Sequence, residues 1–345
     1  MIALKIILIP FSLIYSLIIF IRNKLYDFKI FRSHKISKPV ISIGNITTGG
    51  TGKTPLTIFI AKYFLEKHLK VGIVSRGYKR KTDKIVIVSN GVCINNNIED
   101  CGDELILISN ELIKDNKNNF FSAAGSDRVE TANLLIDMFD PDIIILDDGF
   151  QNRRIQRDLD VVIIDATNYF TDILGNTFTL PSGHLRETFA GMRRADLIMQ
   201  NNKSDNFEII NSLLKYDKEI LIMRYKTEYF MDNKNGILEN QKTDAIVFSG
   251  IANDYSFNKM IKDSGINIIE KMNFPDHHHY TIEDINFLKN RFTNGSVFIT
   301  TEKDFIKIKN FNEFISEYHV YFLKLEIEIA TKKNILFNKL NELVN

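Results

Sequence analysis

A glycine-rich stretch, Gly44–Pro55 (GNITTGGTGKTP), follows the apolar run Val40–Ile43 and ends like a phosphate-binding loop. Its glycines allow backbone N–H groups to turn inward and cradle phosphate oxygens, and a helix starting near Thr54 adds the partial positive charge of its N-terminus. Lys53 is expected to reach the β- and γ-phosphates of a nucleotide, and the Thr54 hydroxyl to bind Mg²⁺. The predicted nucleotide-binding residues are Thr47, Thr48, Gly49, Gly50, Thr51, Gly52, Lys53 and Thr54.

One position of this loop departs from the strict pattern. G-x-x-x-x-G-K-[ST] requires glycine five residues before Gly52, and Thr47 stands there. The alternative is a glycine-rich turn that ends in GKT by chance. Because an apolar strand precedes the loop and a helical pattern follows it, the context favours a nucleotide site.

A Mg²⁺–nucleotide site needs an acidic group at the end of a neighbouring strand. The segment Pro141–Gln151 (PDIIILDDGFQ) supplies Asp147 and Asp148 after four apolar residues. Adjacent side chains of an extended chain point to opposite sides, so one carboxylate can face a metal while the other faces a different group. The alternative is a solvated acidic turn that closes the strand.

Six further segments combine chemically active side chains with turn residues. They are Ser75–Tyr78 (SRGY), Gly102–Glu104 (GDE), Gln151–Arg154 (QNRR), Leu180–Glu187 (LPSGHLRE), Pro275–Tyr280 (PDHHHY) and Thr300–Asp304 (TTEKD). Each also has a plain structural interpretation. Asp103 alone is typical of a helix N-cap, Arg186–Glu187 of a surface ion pair, and a histidine triplet of a solvated turn.

The composition limits the classes of function. With 345 residues the chain is long enough for two domains, and its formal net charge of +1 gives no reason to expect a nucleic-acid partner. Its two cysteines, Cys93 and Cys101, can build neither a disulfide framework nor a metal cluster, which fits a reducing compartment. No obligate protein partner is predicted.

The N-terminus has the composition of a membrane segment. Ile2–Ile21 contains one charge and one proline, and basic residues follow it at Arg22, Lys24, Lys29, Arg32 and Lys35. About 20 apolar residues suffice to cross a bilayer. We therefore expect residues 1–35 to form a membrane-associated helix with a basic flank on the cytoplasmic face. The helix either spans the bilayer or lies in its interface, and a buried core helix is the remaining alternative.

Short apolar runs alternate with longer amphipathic segments in the rest of the chain. The clearest predicted strands are Val40–Ile43, Val71–Val74, Ile85–Val88, Ile143–Leu146, Val161–Ile164 and Leu197–Gln200; the clearest helices are Thr54–Lys67, Asp103–Ile113 and Arg128–Met138. Continuous apolar strands are typical of a parallel sheet that is covered on both faces. The predicted fold is therefore an α/β/α sandwich of the P-loop NTPase type with a mostly parallel sheet.

A second, smaller domain is predicted towards the C-terminus. Two extended segments, Glu219–Phe230 and Tyr318–Ile329, flank another α/β stretch. We interpret them as a two-strand connector that brackets a smaller α/β domain at 235–317. The kinase-like domain then covers 36–230 and is completed by 320–345, which includes a final helix near Thr331–Leu343.

The order of these motifs resembles one known family, the tetraacyldisaccharide 4′-kinases of lipid A biosynthesis. The similarity runs from about residue 40 to residue 304, and the apolar N-terminus matches the membrane helix of that family. Its most specific part is LDDGFQNRRIQRDLDVVIIDA, which begins at Leu146. A residue other than glycine at the first loop position is usual in the family, so Thr47 agrees with it.

This resemblance implies an enzyme that transfers the γ-phosphate of ATP to the 4′-hydroxyl of a tetraacyldisaccharide 1-phosphate. The product would be the 1,4′-bisphosphate, lipid IVA. The resemblance further implies ATP as co-substrate, Mg²⁺ as cofactor, a glycolipid as acceptor, and the cytoplasmic face of a Gram-negative inner membrane as location.

The resemblance also implies roles for single residues. A sugar hydroxyl is a poor nucleophile at neutral pH, so a general base is needed. Asp103 is the first candidate and His277 of the second domain the other; which of them takes the proton stays open. Asp148 and Arg186 would orient groups or balance developing charge. The candidate Mg²⁺ ligands are Thr54, Asp147 and Glu187, and the candidate substrate-binding residues are Ser75, Arg76, Gln151 and Arg153.

Two other classes of protein share parts of the pattern. Asn202–Asp205 (NKSD) matches the guanine reader of GTP-binding switch proteins, although no D-x-x-G switch follows the loop at the usual place. A membrane-bound partition-type ATPase would carry lysine at the second loop position, where this chain has Thr48. Both remain alternatives at this point.

Overall fold

The computed structural model describes residues 2–78, 80–95, 97–114, 116–166, 169, 175–202, 208–232, 234, 236–238, 243–251 and 254–344. Its helices are α1 (Ile2–Ile7), α2 (Ile9–Asp27), α3 (Lys53–Leu65), α4 (Ile98–Cys101), α5 (Asp103–Ile113), α6 (Arg128–Phe139), α7 (Tyr255–Asp263), α8 (Ile282–Lys289), α9 (Glu302–Ile308), α10 (Asn312–Glu317) and α11 (Lys333–Asn341). Two 3₁₀ helices cover Phe189–Arg194 and Asn211–Tyr216.

The strands are β1 (Val40–Asn45), β2 (Val71–Ser75), β3 (Val86–Asn90), β4 (Phe120–Ala124), β5 (Ile143–Asp147), β6 (Leu159–Asp165), β7 (Leu197–Asn201), β8 (Glu219–Met231), β9 (Asp244–Ser249), β10 (Asn267–Asn273), β11 (Val297–Thr301) and β12 (Val320–Ile329). The chain divides into two compact units. Unit 1 comprises Met1–Arg224 and Ile327–Asn345, and unit 2 comprises Tyr225–Glu326.

The unit boundaries lie inside β8 and β12, the two long strands that the sequence analysis interprets as a connector. The sequence placed the smaller domain at 235–317, several residues inside the limits of unit 2. Both strands begin in one unit and end in the other. Because no turn or loop marks the boundary inside a continuous strand, the sequence pattern does not locate it.

Unit 1 is built on a mostly parallel sheet with the strand order β8-β7-β6-β1-β5-β2-β4-β3. Every residue of β1, β2, β5, β6 and β7 is buried, as the continuous apolar runs predict. The central strand β1 pairs with β5 on one side and β6 on the other, both parallel. The carboxyl ends of all three strands therefore meet at one edge of the sheet.

Two strands form the edge of this mostly parallel sheet. The predicted run near Ile85–Val88 forms β3, which pairs antiparallel with β4. β4 (FFSAA) was not singled out from the sequence, because its small polar and alanine residues break the apolar run. The partly exposed residues of β3 agree with an edge position.

Unit 2 repeats the same type of layering on a smaller scale. The parallel strands β10, β9, β11 and β12 lie in that order. Successive residues of β9 belong to different cores: Ile246 and Phe248 pack in one, Ala245 and Val247 in the other. Since side chains alternate across a strand, both faces of this sheet are covered.

The N-terminal apolar stretch forms two helices, α1 and α2, separated at Leu8 just before Pro10. Among the described helices, α2 alone is long and apolar enough to cross a membrane. The interpretation as a buried core helix is wrong, because its large apolar side chains are exposed. These are Phe11, Leu13, Ile14, Leu17, Ile18, Phe20 and Ile21.

Gly44 in β1 allows the chain segment after β5 to approach the centre of the sheet. A Cβ atom at this position would lie 2.6 Å from Cβ and 2.8 Å from the backbone nitrogen of Phe150. We expect Gly44→Ala to lower the free energy of unfolding by about 1–3 kcal/mol, the usual range for overpacking a core. Urea unfolding followed by circular dichroism would measure this change.

Gly50→Ala is the matched control, because a Cβ atom at Gly50 would meet nothing within 4 Å. The stability of this variant should equal that of the wild type within about 0.5 kcal/mol, the usual range away from the core. Equal stability of the Gly44→Ala variant and the wild type would contradict the close approach.

Candidate functional site

The glycine-rich loop connects β1 to α3 as predicted. Gly49 and Gly52 have φ values of 99° and 100°, in the left-handed region that favours glycine. Gly52 is the N-cap of α3, and no side chain caps the first turn of that helix. The N-terminal amides and dipole of α3 thus stay available for an anion, with Lys53 and Thr54 as its first two residues.

Two buried asparagines fix this loop from below. Asn45, the last residue of β1, donates a hydrogen bond from Nδ2 to Oγ1 of Thr51 at 2.8 Å. Asn201, the last residue of β7, donates from Nδ2 to the Thr51 carbonyl oxygen at 2.9 Å. Both amides are buried, so these bonds are protected from water and hold the loop on the sheet edge.

The structure gives a physical reason for Thr47. This residue forms an isolated antiparallel bridge with Leu185, and the Thr48 amide donates to the His184 carbonyl oxygen at 2.8 Å. The first loop position is therefore extended, and a β-branched residue favours that conformation. The same bridge brings the LPSGHLRE segment against the loop.

Asp147, the last residue of β5, and Asp148, the residue after it, contact different partners. Asp147 is buried and accepts hydrogen bonds from the Thr57 and Ser75 hydroxyls, both at 3.3 Å. Asp148 lies 3.9 Å from Lys53 Nζ and accepts two bonds from Arg186 Nη1, at 2.8 and 2.9 Å. The solvated-turn alternative is therefore wrong, and Lys53, Asp148 and Arg186 form one charged group beside the loop.

The ionisation of Asp148 follows from this group. Burial alone would raise the pKa of its carboxyl, but the positive charges of Lys53 and Arg186 outweigh burial and hold the pKa below its ordinary value. Asp148 is therefore a carboxylate at neutral pH. It can orient both cations without taking up a proton.

A buried arginine that the sequence analysis did not select lies close to both carboxylates. Arg128, the first residue of α6, is 4% exposed, and its Nη1 donates to the Gly125 carbonyl oxygen at 2.6 Å. Burial lowers the pKa of its guanidinium to about 10, while Asp147 and Asp148 raise it in part. Its Nε is buried and has no hydrogen-bond partner within the part of the chain that the structure describes. Arg128 thus places a third positive charge near the loop, in addition to Lys53 and Arg186.

The SRGY and GDE motifs pack against each other through two glycines. Gly77 and Gly102 both have positive φ, and a Cβ atom on Gly102 would lie 2.8 Å from Cα of Gly77. This contact places Asp103, the first residue of α5, beside the end of β2. Asp103 is buried, and its Oδ1 accepts from the Glu104 amide at 2.9 Å. The N-cap interpretation is wrong, because Gly102 occupies the N-cap position.

Arg186 and Glu187 do not pair with each other, so the surface ion-pair interpretation is wrong. Glu187 is buried, and its Oε2 accepts from Arg194 Nη2 at 2.6 Å and from Asn23 Nδ2 at 3.3 Å. Its Oε1 accepts from Gln151 Nε2 at 3.0 Å. Adjacent side chains of an extended segment point apart, which sends Arg186 to one acid and Glu187 to other partners.

The QNRR segment meets both the N-terminal helix and the start of the glycine-rich stretch, where Gln151 Nε2 donates to the Asn45 carbonyl oxygen at 2.7 Å. Arg153 Nη2 donates to Asp27 at 2.9 Å, and its Nη1 donates to the Asn23 carbonyl oxygen at 2.8 Å. Arg22 in turn donates to the Gln151 carbonyl oxygen at 2.7 Å. Gln151 and Arg153 therefore connect α2 to the residues around Glu187.

His277 belongs to unit 2. It has a φ of 58°, and its amide donates to the Gly250 carbonyl oxygen at 3.0 Å. The neighbouring His278 pairs with Asp284 at 2.9 Å and stacks on Phe274. The histidine triplet is thus partly packed, which is more than the solvated-turn interpretation allows.

Comparison with known proteins identifies the family. A family model described as tetraacyldisaccharide-1-P 4′-kinase matches residues 4–345. The tetraacyldisaccharide 4′-kinase of Wigglesworthia glossinidia brevipalpis is 35% identical and covers 98% of this chain and 89% of its own. The protein of that name from Aquifex aeolicus is 34% identical and covers 95% and 97%.

The chain belongs to the tetraacyldisaccharide 4′-kinase family. A crystal structure of LpxK from Aquifex aeolicus in complex with ATP is similar over 99% of this chain and 100% of its own, with 30% identity and a TM-score of 0.79. The predicted family and α/β fold are thereby confirmed. The GTP-binding switch and the partition-type ATPase are not favoured; of the NKSD segment, Lys203–Asp205 lies outside the described residues.

Sequence reasoning missed Arg128, Asn45 and Asn201. One signal was available for Arg128, because it is the first residue of a helix that directly follows a strand end, where ligands of α/β sheets gather. Asn45 and Asn201 are each the last residue of an apolar strand. A polar residue at a strand end is a weaker indication of a ligand site. Their partners depend on strand order, which no local pattern reveals.

The charged group around Asp148 predicts a pH dependence of stability. Because its folded-state pKa is depressed, its contribution is fully present above the unfolded pKa of about 3.9 and is lost as pH falls through the folded pKa. We expect Asp148→Asn to lower the free energy of unfolding by about 1.5–3 kcal/mol near neutral pH, the range for hydrogen bonds to charged groups. Urea titrations at several pH values between 7 and the acid limit would show the difference from wild type shrinking below about pH 4.

Asp140→Asn is the control for this measurement. Asp140 also has a depressed pKa, through its hydrogen bond with Lys38, but it is exposed and screened by solvent. Its replacement should change stability much less than that of Asp148. A difference between the Asp148→Asn variant and wild type that stays constant down to pH 2 would contradict the assignment.

Proposed function

We propose that this protein transfers the γ-phosphate of ATP to the 4′-hydroxyl of a tetraacylated glucosamine disaccharide 1-phosphate. The product is the 1,4′-bisphosphate, lipid IVA, in lipid A biosynthesis. One observation carries the proposal. In a chain that belongs to this family over its whole length, Lys53 of the glycine-rich loop lies 3.9 Å from Asp148 of the DDGFQ motif. The proposed donor-binding and charge-balancing groups thus lie close together in unit 1, which supports the proposal.

The loop from Thr47 to Gly52 binds the phosphates of ATP through its backbone amides, together with the N-terminus of α3. Lys53 contacts the β- and γ-phosphates and stays oriented by Asp148. Arg186 and the buried Arg128 supply further positive charge where negative charge develops on the transferred group. Because these charges are already held in place, their side chains need not rearrange while the phosphoryl group is transferred.

The residues near the loop fit Mg²⁺. Thr57, one turn after Thr54 on α3, donates to Asp147, so the Asp147 carboxylate lies against the same helix. The hydroxyl and carboxylate oxygens of Thr54 and Asp147 are hard donors that Mg²⁺ prefers. Within the described residues, no group of three or more His, Cys, Asp or Glu side chains forms a metal site. That agrees with Mg²⁺ held by one or two protein groups plus phosphate and water.

Glu187 is the third candidate Mg²⁺ ligand, and its carboxylate oxygens are already engaged by other side chains. It already accepts bonds from Gln151, Arg194 and Asn23. We propose that it serves the metal site within this network. When bound, Mg²⁺ neutralises charge on the β- and γ-phosphate oxygens.

Asp103 acts as the general base towards the sugar hydroxyl. It begins α5 next to the SRGY turn, whose Ser75 contacts Asp147. The base candidate is therefore linked to the metal-binding acid through one turn. Ser75 and Arg76 of that turn, with Gln151 and Arg153, are proposed to contact the disaccharide. His277 is proposed to assist the proton transfer.

The N-terminal helix attaches the enzyme to the cytoplasmic face of the inner membrane. One side of α2 is held by protein: the Ser182 amide donates to Ser12 Oγ at 2.8 Å, and Ser16 shares a hydrogen bond with Thr179 at 2.8 Å. Arg22 and Asn23 extend these contacts towards the end of the helix. A spanning helix would have to leave these polar partners. We therefore propose that α2 lies in the membrane interface with its apolar side in the lipid.

The central test is a transfer assay with purified protein, Mg²⁺-ATP and the disaccharide 1-phosphate in detergent micelles. Wild type should form the 1,4′-bisphosphate, detected by mass spectrometry. Lys53→Ala and Asp103→Ala should each lower kcat by at least about 100-fold, because they remove charge stabilisation and the general base.

Asp100→Ala is the matched control for Asp103→Ala. Asp100 lies three residues earlier in α4, and its carboxylate accepts from Asn97. This variant should keep wild-type turnover. Absence of bisphosphate with the wild type would refute the proposed function, whereas full activity of Asp103→Ala would refute only the base assignment.

Membrane binding depends on the exposed side of α2. Phe11 and Leu17 are 59% and 57% exposed, and aspartate at either position would carry a charge into the lipid. The double variant Phe11→Asp/Leu17→Asp should lose co-flotation with vesicles that contain anionic phospholipid. Leu214→Asp is the control, since Leu214 is 58% exposed in a 3₁₀ helix of the same unit. Equal flotation of the double variant and wild type would contradict this mode of attachment.

A further inference from the structure

The backbone of His277 adopts a conformation that the surrounding structure must enforce. Its φ of 58° lies in the left-handed region, which a non-glycine residue occupies at a cost in free energy. Such a residue persists only where neighbouring contacts hold it. One such contact is the hydrogen bond from the His277 amide to the Gly250 carbonyl oxygen at 3.0 Å.

Gly250 is held in turn by a carboxylate that the proposed reaction does not use. Asp304 Oδ2 accepts from the Gly250 amide at 2.9 Å and from the Thr301 hydroxyl at 2.7 Å. The Asp304 amide donates back to Thr301 Oγ1 at 3.1 Å. Asp304 is 0% exposed, so these bonds form where water does not compete.

Gly250 therefore connects Asp304 to His277. The amide of its N-terminal peptide group donates to the carboxylate of the TTEKD motif, and the carbonyl of its C-terminal peptide group accepts from the amide of the PDHHHY motif. These two peptide groups share the Cα atom of Gly250. Loss of the Asp304 acceptor would therefore release the Gly250 amide and allow the carbonyl that holds His277 to move.

The space around Gly250 is tight for a side chain. A Cβ atom would lie 3.1 Å from Asp304 Oδ1 and 3.2 Å from both His278 Cβ and the Pro275 carbonyl oxygen, so these neighbours would have to move by a few tenths of an ångström. Glycine at this position lets the loop approach the carboxylate closely without that displacement.

The second carboxylate oxygen of Asp304, Oδ1, faces a buried lysine. Lys307 Nζ lies 3.6 Å from Oδ1 and is also buried, which offsets the cost of a buried negative charge. Burial raises the pKa of the Tyr280 hydroxyl, and the charge of Asp304 raises it further, so Tyr280 stays protonated. Asp304 is thus linked to the Pro275–Tyr280 loop at two residues, to His277 through Gly250 and to Tyr280 through its charge.

We propose that Asp304 is a positioning residue for His277: through the amide and the carbonyl of Gly250 it fixes the backbone conformation that presents the imidazole. This inference rests on the role given to His277 in the proposed function. Asp304 acts only through the backbone and does not itself contact the reacting atoms.

Residue-resolved amide hydrogen exchange on the full chain in detergent micelles tests the proposal without using activity. Asp304→Ala removes the acceptor for the Gly250 amide. We expect exchange at Gly250 and His277 to accelerate about tenfold, the equivalent of one buried hydrogen bond. Asp304→Asn keeps one carbonyl acceptor and should restore most of the protection. Should the alanine variant fail to fold, Gly250→Ala serves as a second variant, because the added methyl group crowds Gly250 against Asp304 and should likewise accelerate exchange at His277.

Asp284→Ala is the matched control. Asp284 also caps a helix in unit 2 and pairs with His278, but it makes no described bond to Gly250 or His277. Its loss should leave the exchange of those two amides unchanged. Exchange at Gly250 and His277 that is unaltered in Asp304→Ala, or accelerated equally by Asp284→Ala, would overturn the inference.

Turnover then separates the inference from the proposed function. Asp304→Ala should lower kcat about tenfold with little change in KM for ATP, and should cause no further loss in a His277→Ala background. An additive loss would overturn the action through His277. If His277→Ala turned over at the wild-type rate, the catalytic role of His277 would fail, while the exchange data would still decide whether Asp304 holds its backbone.

Discussion

The parallel pairing of β1 with β5 is the constraint on which the site in unit 1 depends. Its register places Ile43 opposite Asp147, so the start of the glycine-rich loop and the acidic pair leave the same sheet edge side by side. Lys53 then meets Asp148 without any long connection. Because both strands are fully buried, a slip in their register would expose apolar side chains as well as separate these charges.

Charge at this edge is balanced across several elements rather than within pairs. Asp148 faces Lys53 and Arg186, and Arg128 stands behind both acids. Glu187, one residue from Arg186, belongs to a different set with Arg194 and Gln151. The LPSGHLRE segment thus serves two networks. A shift of that segment would change the surroundings of the loop and of Glu187 together.

The sequence predicted much of this fold for a clear reason. Continuous apolar runs predict buried parallel strands, and the glycine-rich turn after one of them predicts the loop of unit 1, because both are local properties of the chain. The antiparallel placement of β3 and the buried position of Arg128 were not predictable in the same way. An arginine at the start of a helix looks solvent-exposed until the neighbouring strand is known.

The candidate site shows the same limit. Residue types identified Asp147, Asp148 and Arg186, but not the partners of each. The sequence predicted that the two acids point in opposite directions because it assumed an extended backbone, but Asp148 lies just after β5 with a φ of 53°, in the left-handed region. That Arg186 turns to Asp148 and Glu187 to Arg194 depends on the bridge between Thr47 and Leu185, which joins segments far apart in sequence.

The polar side of α2 has a consequence for protein engineering. Shortening the chain before residue 28 to obtain a detergent-free protein would leave Gln151, Arg153 and Glu187 without their partners on that helix. One side of the helix exposes large apolar side chains, and the other side is part of the folded scaffold. Solubility is therefore better sought by redesigning the exposed apolar side chains than by truncation, since only the former leaves the inner hydrogen bonds intact.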